Sequence, residues 1–337
     1  MPRTRNNFEF LRIFAALAVL FSHHFILSGL NEPALPGVIS LGGLAVMVFF
    51  SVSGFLVTQS WITDRNAFRF LGRRFLRIWP ALTVVVSLTV LVLGPLVTSL
   101  PLSDYFAHPA TWDYFRILLM QIHFPLPGVF THNPYSNSVN GSLWTIPFEV
   151  RCYLVMGAIG LVGLLRSPRW LIAWCLVFFV WYVGKGLPDH VGRYVPGREF
   201  SAHFVAGVFL CCCKHWWLPH AKLVMLVTAA LGVLLYVFGF HYLALLVMVP
   251  VLSIGFGMQS TPVVSQFGRF GDPSFGIYLY AFPVQQTLIY ACPDLNFYVN
   301  MLAAAVITIA LAYASWRWIE KPALRFKPRK PTASTAS

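Results

Sequence analysis

Residues 43–62 read GLAVMVFFSVSGFLVTQSWI and contain no charged side chain. An α-helix of this length covers roughly 30 Å, the thickness of the hydrocarbon layer of a membrane. Inside lipid, only helices and closed barrels satisfy their own backbone polar groups. Because the apolar run is continuous and lacks the alternation of barrel strands, it predicts a membrane-spanning α-helix.

Further blocks of this kind occupy most of the chain. Of its 337 residues, 58% are hydrophobic and only 10% are charged, whereas soluble domains carry about 25% charged residues. The sequence therefore predicts an all-α, polytopic membrane bundle of about ten transmembrane helices. These are predicted at 9–30, 43–62, 78–98, 143–165, 170–184, 200–213, 222–239, 242–257, 274–291 and 297–317. The apolar stretch 112–124 is too short to span and is predicted as an interfacial helix.

The basic residues predict the orientation of the bundle. The net charge is +13, but the charges lie in short segments between apolar blocks, as topology determinants do, so nucleic acid is not an expected partner. With the N-terminus inside, 17 Lys and Arg residues lie inside and 4 outside. This bias predicts cytoplasmic N- and C-termini. The inner set is Arg3, Arg5, Arg65, Arg69, Arg73, Arg74, Arg77, Arg166, Arg169, Lys214, Lys222, Arg269, Lys321, Arg325, Lys327, Arg329 and Lys330, and the outer set is Arg116, Lys185, Arg193 and Arg198.

The first predicted helix contains ionisable groups, which are costly in a membrane and therefore indicate a function. Arg12 and His23 are separated by about three helical turns, so they share one face roughly 16 Å apart along the axis. Taken singly, Arg12 is also compatible with snorkelling to the interface, and His23 or His24 with a hydrogen-bonded core position. A metal site is not expected, because His23 and His24 are adjacent and point in different directions, and no spaced Cys/His set accompanies them.

Glu149 is predicted near the outer end of the fourth helix, at a depth similar to that of His23. A carboxylate beside an imidazole raises its basicity and fixes its tautomer, as an acid/base pair requires. The alternative is that Glu149 pairs only with Arg151 or a backbone donor. Matching depth does not establish that the two helices are neighbours.

A second basic group, RRFLRIWP at 73–80, lies at the predicted inner end of the third helix. Ordinary positive-inside anchoring explains such a cluster. Arg74 and Arg77 are also neighbours on one helix face, and guanidinium groups bind phosphate in a bidentate manner. Arg73, Arg74 and Arg77 are therefore candidates for binding a phosphate-bearing cofactor.

Six segments in order resemble the acyltransferase family 3 of membrane proteins. They are NNFEFLRIFAALAVLFSHHF at 6–25, FFSVSGFL at 49–56, RRFLRIWP at 73–80, NGSLWTIPFEVRCYL at 140–154, FGRFGDPSFGIYLYAFPV at 267–284 and WRWIEKPALRF at 316–326. Each motif is loose alone, but six in order across nearly the whole chain are specific. The resemblance implies a domain over 1–325, followed by a basic, disordered cytoplasmic tail at 326–337.

The resemblance also implies an activity. Members of this family transfer an acyl group from a cytoplasmic donor, usually acetyl-CoA, to glycans of the bacterial envelope such as lipopolysaccharide and exopolysaccharide. Arg12 and His23 match the family's Arg–x10–His pair, with His23 as acid/base or transient acyl carrier, and Arg74 and Arg77 match its donor-binding RxxR motif. Catalytic roles are thus expected for His23, Glu149 and Arg12, donor binding for Arg73, Arg74 and Arg77, and substrate binding for Trp144 and Asn140.

The implied protein is a multi-pass enzyme of the bacterial inner membrane that uses acyl-CoA as a substrate and holds no tightly bound cofactor. This sequence contains no segment like the soluble hydrolase-like domain of many members, so acceptor binding is expected of the long outer loop, 99–142. A transporter of an acylated or lipid-linked metabolite is the alternative function, but the repeated halves typical of transporters are not visible. A structural or sensor protein would not explain the register of Arg12 and His23.

Overall fold

The computed structural model describes residues 6–35, 38–136, 138–163, 167–186 and 195–328. Within these ranges the fold is helical, and its strands are the two-residue pair β1 (Ala34–Leu35) and β2 (Ile39–Ser40). The helices of 16 or more residues are α1 (Phe8–Leu27), α2 (Leu41–Thr63), α3 (Ala67–Leu88), α4 (Ile146–Leu161), α5 (Pro168–Gly184), α6 (Pro196–Cys212), α7 (Ala221–Val237), α8 (His241–Met258), α9 (Ser274–Ala291) and α10 (Phe297–Ser315).

The predicted all-α class is confirmed, and each predicted helix overlaps one of these long helices. In the described part of the chain, six helical stretches are long and apolar enough to cross a membrane, namely Phe8–Leu27, Leu41–Thr63, Ala67–Val97, Lys214–Val237, His241–Met258 and Phe297–Phe326. The chain is therefore a multi-pass membrane protein, while ten crossings and cytoplasmic termini stay predictions. Arg3, Arg5, Arg166, Arg193, Arg329, Lys330 and most of the predicted tail lie outside the described residues.

The predicted start of the third helix at residue 78 is wrong by three turns. α3 begins at Ala67, where the side chain of Asn66 caps the backbone N–H of Arg69 at 2.9 Å. The sequence predicts a connecting loop for the polar residues before residue 78. A capped helix, however, tolerates charged side chains where its first turns face solvent. The arginines of RRFLRIWP consequently project from a regular helix.

The predicted interfacial helix at 112–124 is corrected in its extent and type. The stretch contains the end of the short helix Pro109–Asp113 and the 3₁₀ turn Tyr114–Leu119, and residues 121–124 are not helical. Pro109 begins a new turn, because proline favours the first helical position, and Met120 ends the last one in the left-handed region at φ 62°.

Glycines bring α2 and α6 into close contact. A Cβ at Gly54 would lie 2.0 Å from the carbonyl oxygen of Phe204, and a Cβ at Gly207 would lie 2.1 Å from that of Ser51. Helices in membranes associate through such small residues, since lipid provides no hydrophobic force between them. α2 also packs on α1 and α8, α1 packs on α9, and α3 packs on α4, so α1, α2, α3, α4 and α9 surround the interior of the bundle.

Replacing Gly54 with Ala is expected to destabilise the protein by about 1–3 kcal/mol, because the new methyl group meets rigid backbone rather than a side chain that can move. The melting temperature of the purified protein in detergent measures this effect. Gly184→Ala is the matched control, since among the described residues no atom beyond the neighbouring backbone of its own helix lies within 4 Å of that Cβ position. Equal melting temperatures for the two variants would contradict close α2–α6 packing.

Candidate active site

A cavity of about 120 Å³ lies between α1, α2, α3, α4 and α9. We call it the arginine cavity, because three arginines line it together with polar groups of α2 and α4. These lining residues are Arg12, Arg74, Arg77, Ser53, Glu149 and Tyr153. The structure thus brings Arg12 and the Arg74/Arg77 pair, which are distant in sequence, to one site.

Two of these arginines share a buried carboxylate. Asp272 Oδ2 accepts from Arg77 Nη2 at 2.6 Å and lies 3.3 Å from Arg12 Nη2. Arg77 Nη1 also donates to Glu320 Oε2 at 3.2 Å. Burial alone would raise the pKa of Asp272, but the charges of Arg12 and Arg77 lower it to about 2. Arg12 and Arg77 are therefore held in place by fixed negative charges.

Arg73 and Arg74 differ from this pair. Arg73 Nη1 donates to Asp64 Oδ2 at 2.6 Å, and Arg73 does not line the arginine cavity. Hydrogen bonds from Arg69 and Arg73 lower the pKa of Asp64. The Arg74 guanidinium lies 6.0 Å from the ring centroid of Phe70, and among the described residues its side chain has no carboxylate partner. Of the three arginines that line the cavity, Arg74 is therefore the one available to bind an anionic ligand.

Glu149 lies in the arginine cavity and is fixed by hydroxyl groups. Tyr153 donates a hydrogen bond to Glu149, and Ser53 Oγ lies 2.8 Å from Tyr153 Oη and 3.3 Å from Glu149 Oε1. Its charge also acts on Arg74 and Arg77. Among described residues, the carboxylate contacts neither Arg151 nor His23.

His23 lines a second cavity of about 690 Å³, which we call the histidine cavity. His23 Nδ1 lies 3.4 Å from Ser142 Oγ, and its ring packs edge-on against Phe282 with centroids 5.6 Å apart. Glu32 and Tyr135 line the same cavity. The volume falls in the range of sites that bind small molecules, roughly 300–1,000 Å³.

The predicted pairing of His23 with Glu149 is corrected by this arrangement. The carboxylate in the cavity of His23, and the one whose charge acts on it, is Glu32. Ser22 Oγ donates to Glu32 Oε1 at 2.8 Å and accepts from the backbone N–H of Gly42 at 2.9 Å. Equal depth did not bring the two side chains together, because Glu149 turns toward Ser53 and Tyr153.

Trp144 and Asn140, the predicted substrate-binding residues, have different surroundings. Trp144 lines the histidine cavity. Asn140 is buried and donates through Nδ2 to the carbonyl oxygen of Leu279 at 2.9 Å, and it lines neither cavity. The structure therefore assigns Asn140 a contact with α9, one residue before the cavity-lining Gly141.

Tyr278 and Val46 line both cavities and so form part of the wall between them. The Tyr278 hydroxyl donates to the carbonyl oxygen of Ser142 at 2.8 Å and lies 2.5 Å from Thr145 Oγ1. A tyrosine hydroxyl has one proton, so Thr145 is the donor in that second bond. Tyr278 thereby fixes the 3₁₀ turn Gly141–Thr145 at the boundary.

Sequence reasoning missed Glu32, Asp272 and Glu320, and it left open whether Tyr278 lines a channel or is a packing residue. Asp272 and Glu320 are single acidic residues within apolar, aromatic segments, and an ionisable group in such a segment is the signal that points to them, although only the fold shows that they face the arginines. Glu32 lies in the loop after α1, where only the fold shows which residue it faces.

The acyltransferase domain signature matches residues 5–317, which is nearly the whole chain. The chain belongs to the acyltransferase-3 family. Its acyltransferase-3 relatives include the O-acetyl transferase of Shigella phage Sf6, which is 32% identical over 325 residues, covering 94% of this chain and 95% of the relative. Nodulation protein 10 of Rhizobium leguminosarum bv. viciae is 30% identical over 358 residues, covering 96% of this chain and 94% of the relative.

A shorter similarity links this acyltransferase-3 chain to acyltransferase MdmB of Streptomyces mycarofaciens, at 31% identity over 150 residues and 43% of this chain. No solved structure matches the chain. Membership in the family makes the protein an acyltransferase, and its apolar helices make it one that resides in a membrane.

Proposed function

We propose that the protein is a transmembrane O-acyltransferase of a bacterial inner membrane. In this proposal an acyl group, acetyl in the simplest case, passes from cytoplasmic acyl-CoA to a hydroxyl of a periplasmic or surface glycan such as O-antigen or exopolysaccharide. The observation that carries the proposal is the pair of cavities separated by Val46 and Tyr278, with cations in one and His23 in the other.

The arginine cavity would bind the donor. Arg74 has no carboxylate partner among the described residues and offers a guanidinium to a phosphate group. The apolar residues that share the cavity, such as Phe49 and Ile78, suit the pantetheine arm. This arm would extend along α1 toward Tyr278, over the roughly 16 Å of helix that separate Arg12 from His23.

The histidine cavity would bind the acceptor and carry out the transfer. The imidazole of His23 takes the proton of the acceptor hydroxyl as the oxygen attacks the thioester carbonyl. The C–S bond then breaks, and the CoA thiolate leaves and is protonated. In the alternative route His23 first accepts the acyl group and then passes it to the hydroxyl. Glu32 would stabilise the charged imidazole in either route.

Two features support this assignment over a transporter. The phage relative is named an O-acetyl transferase, which is a reaction at a hydroxyl group. His23 and Glu32 also line one cavity, which places an imidazole and a carboxylate where acid/base chemistry on a hydroxyl group requires them.

Incubating the purified protein with radiolabelled acetyl-CoA and bacterial O-antigen or exopolysaccharide fragments tests the proposal. We expect label on the glycan as an ester that mild alkali releases. Passage of intact acetyl-CoA across proteoliposomes without any covalent product would instead establish the transporter.

The proposed topology has ten crossings with both termini in the cytoplasm, which places the end of α9 outside. Cys292 follows α9 at this end and is exposed, whereas Cys175, Cys211 and Cys213 are buried. A membrane-impermeant maleimide added to intact spheroplasts is therefore expected to label the protein, and Cys292→Ser should remove the label. Labelling that requires permeabilised membranes would contradict this orientation.

A further inference from the structure

The last described residues lie on α3 beside the arginine cavity. The short helix Lys321–Ala323 and the 3₁₀ turn Leu324–Phe326 both contact α3. Pro328 Cγ lies 3.4 Å from the position that a Cβ at Gly72 would take. Residues 326–328, expected from the sequence to begin a disordered tail, are thus packed against the helix that carries Arg73, Arg74 and Arg77.

Lys327 is half-buried in this segment, close enough to the arginines of α3 for their charges to act on it. Burial and the charges of Arg74, Arg77 and Arg73 lower its pKa to about 8, and the charge of Asp272 opposes this shift. Within the described part of the chain, Lys327 forms no ion pair. An ammonium group near three guanidinium groups is unfavourable unless an anion joins them.

Neighbouring carboxylates neutralise only some of these cations. Asp272 and Glu320 neutralise Arg12 and Arg77, and Asp64 serves both Arg69 and Arg73. Glu149 lies in the same cavity and its charge opposes part of that of Arg74. The positive charge left over therefore resides on Lys327 and partly on Arg74 and Arg73.

Unsatisfied donors occur at the same place. The Nε atoms of Arg73 and Arg74 are buried and have no hydrogen-bond acceptor among the described residues. Buried polar groups in proteins nearly always have partners, so each exception needs an explanation. An anionic ligand with several oxygen acceptors would supply those partners.

We propose that Lys327 is a donor-binding residue, which together with Arg74 and Arg73 binds the phosphate groups of acyl-CoA. This inference rests on the proposed function, because it takes acyl-CoA as the donor. CoA carries a 3′-phosphate and a diphosphate, so its several negative charges match a cluster of cations better than a single carboxylate does. The C-terminal segment then forms one wall of the donor site.

The pH dependence of binding distinguishes this role from a structural one. A bound phosphate favours the charged ammonium, so the affinity of the wild-type protein for CoA should fall as the pH rises through 8 toward 9. The arginines that face Lys327 stay charged throughout this range, and Asp272, with its pKa of about 2, stays ionised. Replacing Lys327 with Gln should remove the dependence.

Isothermal titration of the full-length protein in detergent with CoA tests the proposal. Lys327→Gln is expected to weaken binding about 10-fold at pH 7, the effect of losing one charged contact, and to bind like the wild type at pH 9. Lys321→Gln is the matched control, since Lys321 is exposed on the same segment, and its affinity should stay within about 2-fold. Lys327→Arg should bind tightly at both pH values, which excludes misfolding as the cause.

Three outcomes would overturn the assignment. If Arg74→Ala loses CoA while Lys327→Gln keeps wild-type affinity at pH 7, Lys327 has no part in donor binding and the proposed function stands. If the wild type binds no CoA, the donor itself is wrong. If phosphatidylglycerol in the micelle displaces CoA from the wild type but not from Lys327→Gln, the residue binds a lipid headgroup.

Discussion

Replacing His23 with Gln is expected to reduce acyl transfer by about 10²–10⁴-fold, the usual contribution of a general base. Glutamine keeps a polar side chain in the histidine cavity but cannot accept a proton near neutral pH. Glu32→Gln should show a smaller loss, because it removes only the charge that stabilises the imidazolium. Initial rates of label transfer from acetyl-CoA to a glycan measure both effects.

His24→Gln is the control for this experiment. His24 is buried against α9, with Nδ1 3.2 Å from Gln285 Nε2, and lines neither cavity. The His24→Gln variant should transfer acyl groups at a rate within about 10-fold of the wild type, provided that both variants insert into the membrane and have normal melting temperatures. Full activity in a correctly inserted His23→Gln protein would contradict both catalytic routes. Labelled acyl-protein that accumulates before acceptor is added would identify the covalent route.

Arg77→Ala and Arg74→Ala are expected to fail for different reasons. Removing Arg77 leaves Glu320 as a buried carboxylate without its cation and leaves Asp272 with Arg12 alone, and such a loss costs about 3–5 kcal/mol of stability. We expect little folded Arg77→Ala protein. Arg74→Ala breaks no ion pair among the described residues, so it should fold but bind CoA about 10–100-fold more weakly.

A double variant separates the two effects. Combining Arg77→Ala with Glu320→Gln removes the carboxylate that loses its cation and should restore part of the melting temperature, because Asp272 keeps its contact with Arg12. Normal folding of Arg77→Ala alone would show that the carboxylates are not held by this arginine. Wild-type affinity for CoA in a folded Arg74→Ala protein would exclude Arg74 from the donor site.

The sequence was sufficient to predict the helices and the cationic side of the site. The thickness of the hydrocarbon layer sets the length of an apolar run that spans it, so these runs predict the long helices to within a few turns. The spacing of Arg74 and Arg77 likewise fixed their common face, and both line one cavity.

Contacts between distant segments were beyond sequence reasoning. Arg77 meets Asp272 and Glu320 across 195 and 243 residues of chain, and helical spacing carries no information on such pairs. The sequence predicts that His23 pairs with Glu149 because both lie at a similar depth in the membrane. The direction in which a side chain points from its helix depends on packing, and depth does not give it. The role of Glu32 is not predictable from the sequence, because the loop after α1 must fold back before the Glu32 carboxylate reaches the histidine cavity.

The central claim is that the acyl group passes from the arginine cavity to the histidine cavity, and the sidedness of the reaction tests it most directly. Proteoliposomes of uniform orientation would receive radiolabelled acetyl-CoA on the face that exposes the Arg74 side, and glycan fragments on the opposite face. We predict acetylated glycan on that opposite face, with the CoA moiety retained on the donor face. Product formed only when donor and glycan share one face, or acetyl-CoA recovered intact on the glycan side, would contradict the claim.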